Sequence, residues 1–211
     1  MGLYQDVSQL IPAVANGDPV ISWKDQSATG GGDMVVNSSS NQVTARPVLN
    51  TNGINGKPAL SFDGIDDNLV NSVNYLIPNT VFIVAHYNAA SPRGRILTSL
   101  GNNWLLGWHM GDSGSFYAEG WVNNGSPADN SWQIFAGDHS LALLRLFKNN
   151  IFIASTSNGS NQGPRGLELG GQIYNQWSKA EVAEIIVYSR ILTDFERQAV
   201  FLYLNARYSA Y

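Results

Sequence analysis

The chain has 211 residues, 44% hydrophobic and only 13% charged, with a net charge of −4 and no cysteine. Disulfides, thiol nucleophiles and thiolate metal sites are therefore excluded, and an acidic chain without Lys/Arg runs is not expected to bind nucleic acid. No apolar stretch approaches the roughly 20 residues that span a bilayer, so membrane insertion is not expected either.

Most of the sequence reads as short strands separated by Gly, Asn, Ser, Asp and Pro clusters, the pattern of a β-sandwich. Strands are expected at 58–62, 80–87, 95–100, 104–109, 116–122, 132–135, 140–147, 151–155, 167–169 and 181–188. On 104–109, alternation puts Trp104, Leu106 and Trp108 on one face, which assigns that face to the core. Segment 140–147 is apolar on both faces at one end, so it is expected to be a central, doubly covered strand. Lys148-Asn149-Asn150 is a hairpin turn signal, because Asn tolerates positive φ. Near the end, Thr193-Asp194-Phe195-Glu196 forms a capping box, and Phe195, Ala199, Leu202, Tyr203 and Ala206 recur at helical spacing. A helix over 193–208, docked through Phe195, Ala199, Leu202 and Tyr203, is the expectation. No repeat, linker or change of composition divides the chain, so residues 1–211 are expected to form one domain.

Three stretches carry a family resemblance. Val20-Ile21-Ser22-Trp23-Lys24-Asp25-Gln26-Ser27 comes first. Arg46-Pro47 and then Ile54-Asn55-Gly56-Lys57-Pro58-Ala59-Leu60-Ser61-Phe62-Asp63-Gly64-Ile65-Asp66-Asp67 follow. The last runs from Ala183-Glu184-Ile185-Ile186-Val187-Tyr188-Ser189-Arg190-Ile191-Leu192-Thr193 through Glu196-Arg197 to Tyr203-Leu204. In this order they resemble the laminin-G-like domains of the concanavalin A-like group found in bacterial surface proteins and phage structural proteins. The resemblance implies an all-β, two-sheet antiparallel jelly-roll sandwich with one C-terminal amphipathic helix. It says little of function, since lectins, adhesins and structural modules share that fold.

Each candidate site has a plain structural alternative. His86 and the Gly111-Asp112-Ser113-Gly114 segment echo pieces of a serine protease, but no Asp between them could orient the histidine. Glycoside hydrolysis needs two carboxylates facing one cleft, and the three-residue spacing of Glu181 and Glu184 predicts opposite faces of a strand. Asp63, Asp66 and Asp67 offer hard oxygen ligands for calcium, or simply accept turn amides. Asn37, Asn124 and Asn158 head glycosylation sequons, which mark loops. The aromatic middle third is the better lead. Trp121 and Trp132 bracket a polar, turn-forming segment, so Trp121, Asn123, Asn124, Asp129 and Trp132 are the expected ligand contacts; the competing reading is that such aromatics fill the core.

The sequence therefore points to a non-catalytic binding module that requires no cofactor, with calcium as an optional one. With no basic segment and apolar run at its start, it reads first as a virion protein of the capsid-decoration or tail-fibre type. Its expected partners are virion structural proteins or host-cell polysaccharide, with a homo-oligomer or lattice supplying avidity. A lectin or adhesin module of a bacterial surface protein is the alternative, and a glycoside hydrolase or polysaccharide lyase a remote one. Either leading reading places it in a virion or at a cell surface.

Overall fold

The computed structural model describes residues 2–37, 44–157 and 161–211. In chain order the first strands are β1 Leu3–Tyr4, β2 Ser22–Trp23, β3 Met34–Val35, β4 Val48–Ile54, β5 Lys57–Asp63, β6 Leu69–Val70, β7 Asn79–Tyr87 and β8 Arg95–Ser99. Then come β9 Trp104–His109, β10 Asp112–Ala118, β11 Trp121–Pro127, β12 Gln133–His139, β13 Leu144–Lys148, β14 Ile151–Thr156, β15 Leu167–Leu169 and β16 Lys179–Tyr188. A 3₁₀ turn, Gln172–Tyr174, precedes β16, and one α-helix, α1 Asp194–Tyr208, follows it near the end of the described chain.

The strands form two antiparallel sheets. One is nine-stranded in the order β1-β2-β3-β6-β15-β8-β9-β10-β11, the other seven-stranded in the order β14-β13-β12-β7-β16-β5-β4. Their facing sides share one core. Trp104, Leu106, Trp108 and Phe116 from the larger sheet meet Ile83, Ala85, Phe135, Leu146 and Val182 from the smaller. Trp108 meets Phe135 edge-on at 4.7 Å, a favoured aromatic geometry. This is the two-sheet jelly-roll sandwich with a C-terminal helix that the sequence leads one to expect. No helix among the described residues is long and apolar enough to cross a membrane.

The local signals act as their chemistry requires. Asn149 and Asn150 take φ of 50° and 66° in the β13–β14 hairpin. Asp25 accepts the Ser27 and Gly32 amides, and Trp23 packs at the margin of the core. Gly64, with φ of 79°, lets the β5 turn approach so closely that a Cβ there would stand 2.7 Å from the Lys179 amide nitrogen.

Four expectations need correction. Helix α1 starts at the predicted capping box, but it docks through Arg197, Phe201, Leu204 and Tyr208. The expected stripe faces outward instead: Ala199 is exposed, Phe195 is 81% exposed and Leu202 58%. Both stripes are apolar, and the one that wins carries a partner for a buried charge. Arg197 donates to Asp138 at 3.5 Å and stacks on the Phe147 ring at 3.7 Å. Next, the strand expected at 140–147 is β13: it is covered on both faces as expected, with Leu144 and Leu146 in the core between the sheets and Phe147 under α1, but it is second from the edge rather than central, and Leu141 and Leu143 lie exposed in the turn before it. Third, the strand expected at 116–122 is split by a turn at Glu119-Gly120, where Glu119 has φ of 56°. Fourth, Glu181 and Glu184 are not on opposite faces. A bulge between Val182 and Glu184 inserts a residue, so Glu181 meets His86 and Glu184 meets Tyr208 on the same outer side of the seven-stranded sheet.

Candidate functional site

The residues expected to form one site are parted by the structure. The segment after Trp121 is strand β11, paired with β10, rather than a loop. Its turn-like composition is absorbed by that pairing. Gly125 in particular sits where a Cβ would come within 2.6 Å of Ser115 Oγ. Trp121 and Trp132 therefore stand on different sheets. Trp132 lies just before β12 and packs on His86 at 4.3 Å, beside the His86–Glu181 contact of 3.2 Å. Asp129 Oδ1 accepts from the Ser131 amide and hydroxyl, and those bonds hold its carboxyl below the usual range. Asn123 Nδ2 donates to the Gly114 carbonyl at 2.7 Å. Asn124 is exposed, and its carbonyl accepts from Ser115 Oγ. His86 and Ser113, the protease-like pair, belong to different sheets.

Trp121 has different company. Register places Glu168, Thr98, Leu105, Tyr117 and Trp121 opposite one another in a cross-strand row over β15, β8, β9, β10 and β11. Leu97, Leu106 and Phe116 occupy the neighbouring positions and point into the core, so by alternation this row faces outward. Arg95 and His109 are also paired on that outer face. The segment 170–178, which contains the 3₁₀ turn Gln172–Tyr174, lies over one end of it. There Arg95 Nε donates to Gln176 Oε1 at 2.6 Å, its Nη1 donates to Asn103 Oδ1 at 2.7 Å, and the guanidinium sits 4.1 Å from the Tyr174 ring centre. At the other end Trp121 packs against Tyr117 at 5.1 Å and His109 at 5.2 Å. Trp121 is 42% exposed, and Tyr117, Tyr174, His109, Asn103 and Gln176 are half-buried.

The electrostatics of this face are distinctive. Burial pushes the His109 imidazolium down, helped by the nearby Arg95 charge, so the ring is a neutral donor and acceptor at pH 7. Burial pushes the Glu168 carboxyl up to about 7, against the Ile173 and Gln172 amides that favour its ionised form. Its Oε1 accepts the Ile173 amide at 2.8 Å, whereas its Oε2 is fully enclosed with no hydrogen-bond partner. Sequence reading missed Arg95, Glu168, Tyr174 and Gln176. A signal was present: a lone Glu inside Leu167-Glu168-Leu169 and a lone Arg opening β8 are charges at outward positions of otherwise apolar strands.

The three carboxylates expected in one turn do meet. Asp63, Asp66 and Asp67 offer oxygens within 4.8 Å of one another. Asp63 Oδ1 accepts the Ile65 and Asp66 amides, Asp67 Oδ2 accepts the Asp63 amide, and Asp66 accepts from Thr44 Oγ1. Burial, then the charges of Asp63 and Asp66, pushes the Asp67 carboxyl up to about 7. The turn bonds alone account for these residue types. Asn37 donates to Gln172 Oε1, Asn124 lies on β11, and Asn158 falls outside the described residues.

The sequence matches no protein-family model and no curated protein sequence. Solved structures do share its fold. Domain 4 of AbnA, a GH43 extracellular arabinanase from Geobacillus stearothermophilus determined with arabinotriose, aligns at a TM-score of 0.61 and 14% identity over 81% of this chain and 88% of that one. The binding domain of Paraclostridial Mosquitocidal Protein 1 aligns at 0.61 and 14% identity over 92% of this chain and 52% of that one. The binding domain of botulinum neurotoxin DC in complex with SialylT aligns at 0.57 and 13% identity, over 88% and 51%. The chain thus spans about half of the toxin binding domains. At these identities the likeness is one of fold: a two-sheet β-sandwich.

Proposed function

We propose that the protein is a saccharide-binding module that works by presenting the outer face of its nine-stranded sheet. The observation that carries this reading is the gathering of Tyr117, Trp121 and Tyr174 with Arg95, Asn103, His109 and Gln176 on one partly exposed surface. Sugars offer apolar C–H faces and hydroxyl edges, so half-exposed aromatic rings beside fixed amide and imidazole groups complement them. The fold-sharing arabinanase domain in complex with arabinotriose and the neurotoxin domain in complex with SialylT support a saccharide as the ligand class.

The test is Trp121→Ala. The ring is solvent-facing, so thermal stability should stay within about 1 kcal/mol of wild type. Affinity on an oligosaccharide array or by titration should fall roughly tenfold or more, the equivalent of about 1.4 kcal/mol. Unchanged binding by the folded variant would remove this face from the function. Trp132→Ala serves as the control, because Trp132 sits on the other sheet.

A protein-contact role, as in a virion lattice or a homo-oligomer, has its own observation. The outward stripe Phe195, Ala199, Leu202 and Tyr203 of α1 is a run of exposed apolar surface on a helix whose other side is already docked. Both roles fit one surface-displayed molecule. Calcium at Asp63, Asp66 and Asp67 is a separate proposal: the melting temperature would rise with millimolar Ca²⁺ and fall with chelator if the ion binds only the folded state.

A further inference from the structure

Arg95 is an unusual buried cation. Only 6% of it is exposed, yet among the described residues no carboxylate lies within 4 Å of it. All its partners are neutral: Gln176 Oε1, Asn103 Oδ1 and Thr98 Oγ1, with the Tyr174 ring against its plane. Nε and Nη1 are thereby committed. Nη2 bonds to no described residue and is not among the enclosed polar atoms, so it retains contact with solvent. Burying a guanidinium without a counter-charge costs stability, and proteins ordinarily pair such groups. The nearest candidate, Glu168, does not serve. It belongs to the same outer row, but its Oε1 is turned to the Ile173 amide, it makes no ion pair with the guanidinium, and burial raises its carboxyl to about 7, so that it carries only part of a charge at neutral pH. The positive charge is thus fixed in direction by two amide side chains and a ring, and left without a salt-bridge partner among the described residues at the edge of an aromatic platform.

We infer that Arg95 is the anion-reading residue of this face and that the saccharide it takes is acidic, carrying a carboxylate or sulfate group that meets Nη2 while its ring lies toward Tyr117 and Trp121. A planar guanidinium held by neutral acceptors can offer a charge-assisted hydrogen bond without first breaking an ion pair. Asp112, paired across from His109, puts negative charge beyond that ring. It therefore favours a ligand whose anionic group points to the Arg95 end.

This inference rests on the saccharide reading and is tested so that the two can fail separately. Oligogalacturonate is compared with its carboxyl-reduced neutral counterpart, sialyllactose with lactose, and a heparin-derived oligosaccharide reports on sulfate. The wild-type protein should prefer at least one acidic member over its neutral partner by roughly tenfold, and raising NaCl from 50 to 500 mM should erase that preference while leaving the neutral affinity unchanged. Arg95→Gln should abolish the discrimination, Arg95→Lys should retain part of it, and Trp121→Ala should weaken acidic and neutral members alike. Because Arg95 is buried, each variant is first checked by thermal melting; if Arg95→Gln does not fold, the wild-type salt series decides. Equal affinity for acidic and neutral partners, or discrimination that survives Arg95→Gln or high salt, overturns the role of Arg95 and leaves the saccharide reading standing. Binding of none of the probes overturns both.

Discussion

The outer faces of the two sheets are built from the same kinds of strand and finished in opposite ways. On the seven-stranded sheet, Phe82, Val84, Ile134, Ala136 and Ala183 form an apolar floor that α1 covers with Phe201, Leu204 and Tyr208. Its buried carboxylates all have partners: Asp138 receives Arg145 at 2.6 Å, Arg197 at 3.5 Å and the Thr80 hydroxyl at 2.8 Å, and Glu181 meets His86 at 3.2 Å and accepts from Asn50 at 2.8 Å. On the nine-stranded sheet the floor is mixed, among the described residues no α-helix covers it and only the 3₁₀ turn Gln172–Tyr174 lies over one end, and the two buried charged residues, Arg95 and Glu168, lack any ion pair. A charge that only has to survive burial is given its counter-ion. One that is buried without an ion pair offers a place for an external group to complete it. The contrast separates the face that stabilises the sandwich from the face proposed for recognition.

The largest expected effect tests the sealed side. Phe201 is fully buried and meets Phe82 edge-on at 5.3 Å. Phe201→Ala should cost about 3–5 kcal/mol through lost burial and the cavity left behind. In a chain of this size that lowers the melting temperature by roughly 10 °C. A loss below about 1 kcal/mol would mean that the helix is not docked as described.

The next effect tests the open side through pH. The folded Glu168 carboxyl titrates near 7, against an ordinary 4.5. Between those values the folded state holds a proton that the unfolded state has released, so stability falls as pH rises. The contribution is complete below about pH 4.5 and lost as pH rises through 7. Asp67, raised to about 7 from 3.8, adds in the same direction. Melting curves should therefore show several degrees of decline from pH 5 to pH 8, and Glu168→Gln should flatten part of it. A wild-type protein equally stable at both ends, or a Glu168→Gln protein with an unaltered slope, would show that Glu168 ionises normally and compensates Arg95 after all.

Smaller still is the start of the helix. Thr193 Oγ1 accepts the Glu196 amide at 3.3 Å, the Glu196 carboxylate accepts the Thr193 amide at 2.9 Å, and Arg190 grips that carboxylate from both its Nη atoms. Thr193→Ala should cost about 1 kcal/mol, measured by denaturant midpoint at unchanged slope. An unchanged midpoint would show that tertiary docking alone sets the start of α1.

What was legible in the sequence follows the same divide. Strand periodicity, Asn-rich turns and the capping box are local, and β9, β15 and α1 fall where they direct. Which residues face which way is not local once bulges intervene. The extra residue between Val182 and Glu184 turns a parity argument around, and β10 and β11 shift register between Phe116 and Tyr117. The composition around Trp121 points to a mixed surface, which that ring does reach, but Trp132, its partner in that sequence pattern, is carried to the opposite sheet by the crossing from β11 to β12. Arg95 and Gln176 are 81 residues apart in sequence, so their contact exists only in the fold.

The smallest expected effect is the most discriminating for the helix. Read from spacing alone, Leu202 belongs to the docked stripe, and Leu202→Asp would bury an unpaired charge at a cost of several kcal/mol. In the structure Leu202 is 58% exposed while its neighbour Phe201 is enclosed, so the same substitution should leave stability within about 0.5 kcal/mol of wild type. The physical reason lies one position away. Choosing 197, 201, 204 and 208 as the docked stripe brings Arg197 to Asp138 and Phe147, and turns 195, 199, 202 and 203 to solvent. If Leu202→Asp melts as wild type but alters sedimentation at high concentration, the outward stripe is a contact between molecules. If it melts as wild type and sediments identically, the stripe makes no self-contact. A loss of several kcal/mol would restore the docking read from spacing and contradict the burial of Phe201.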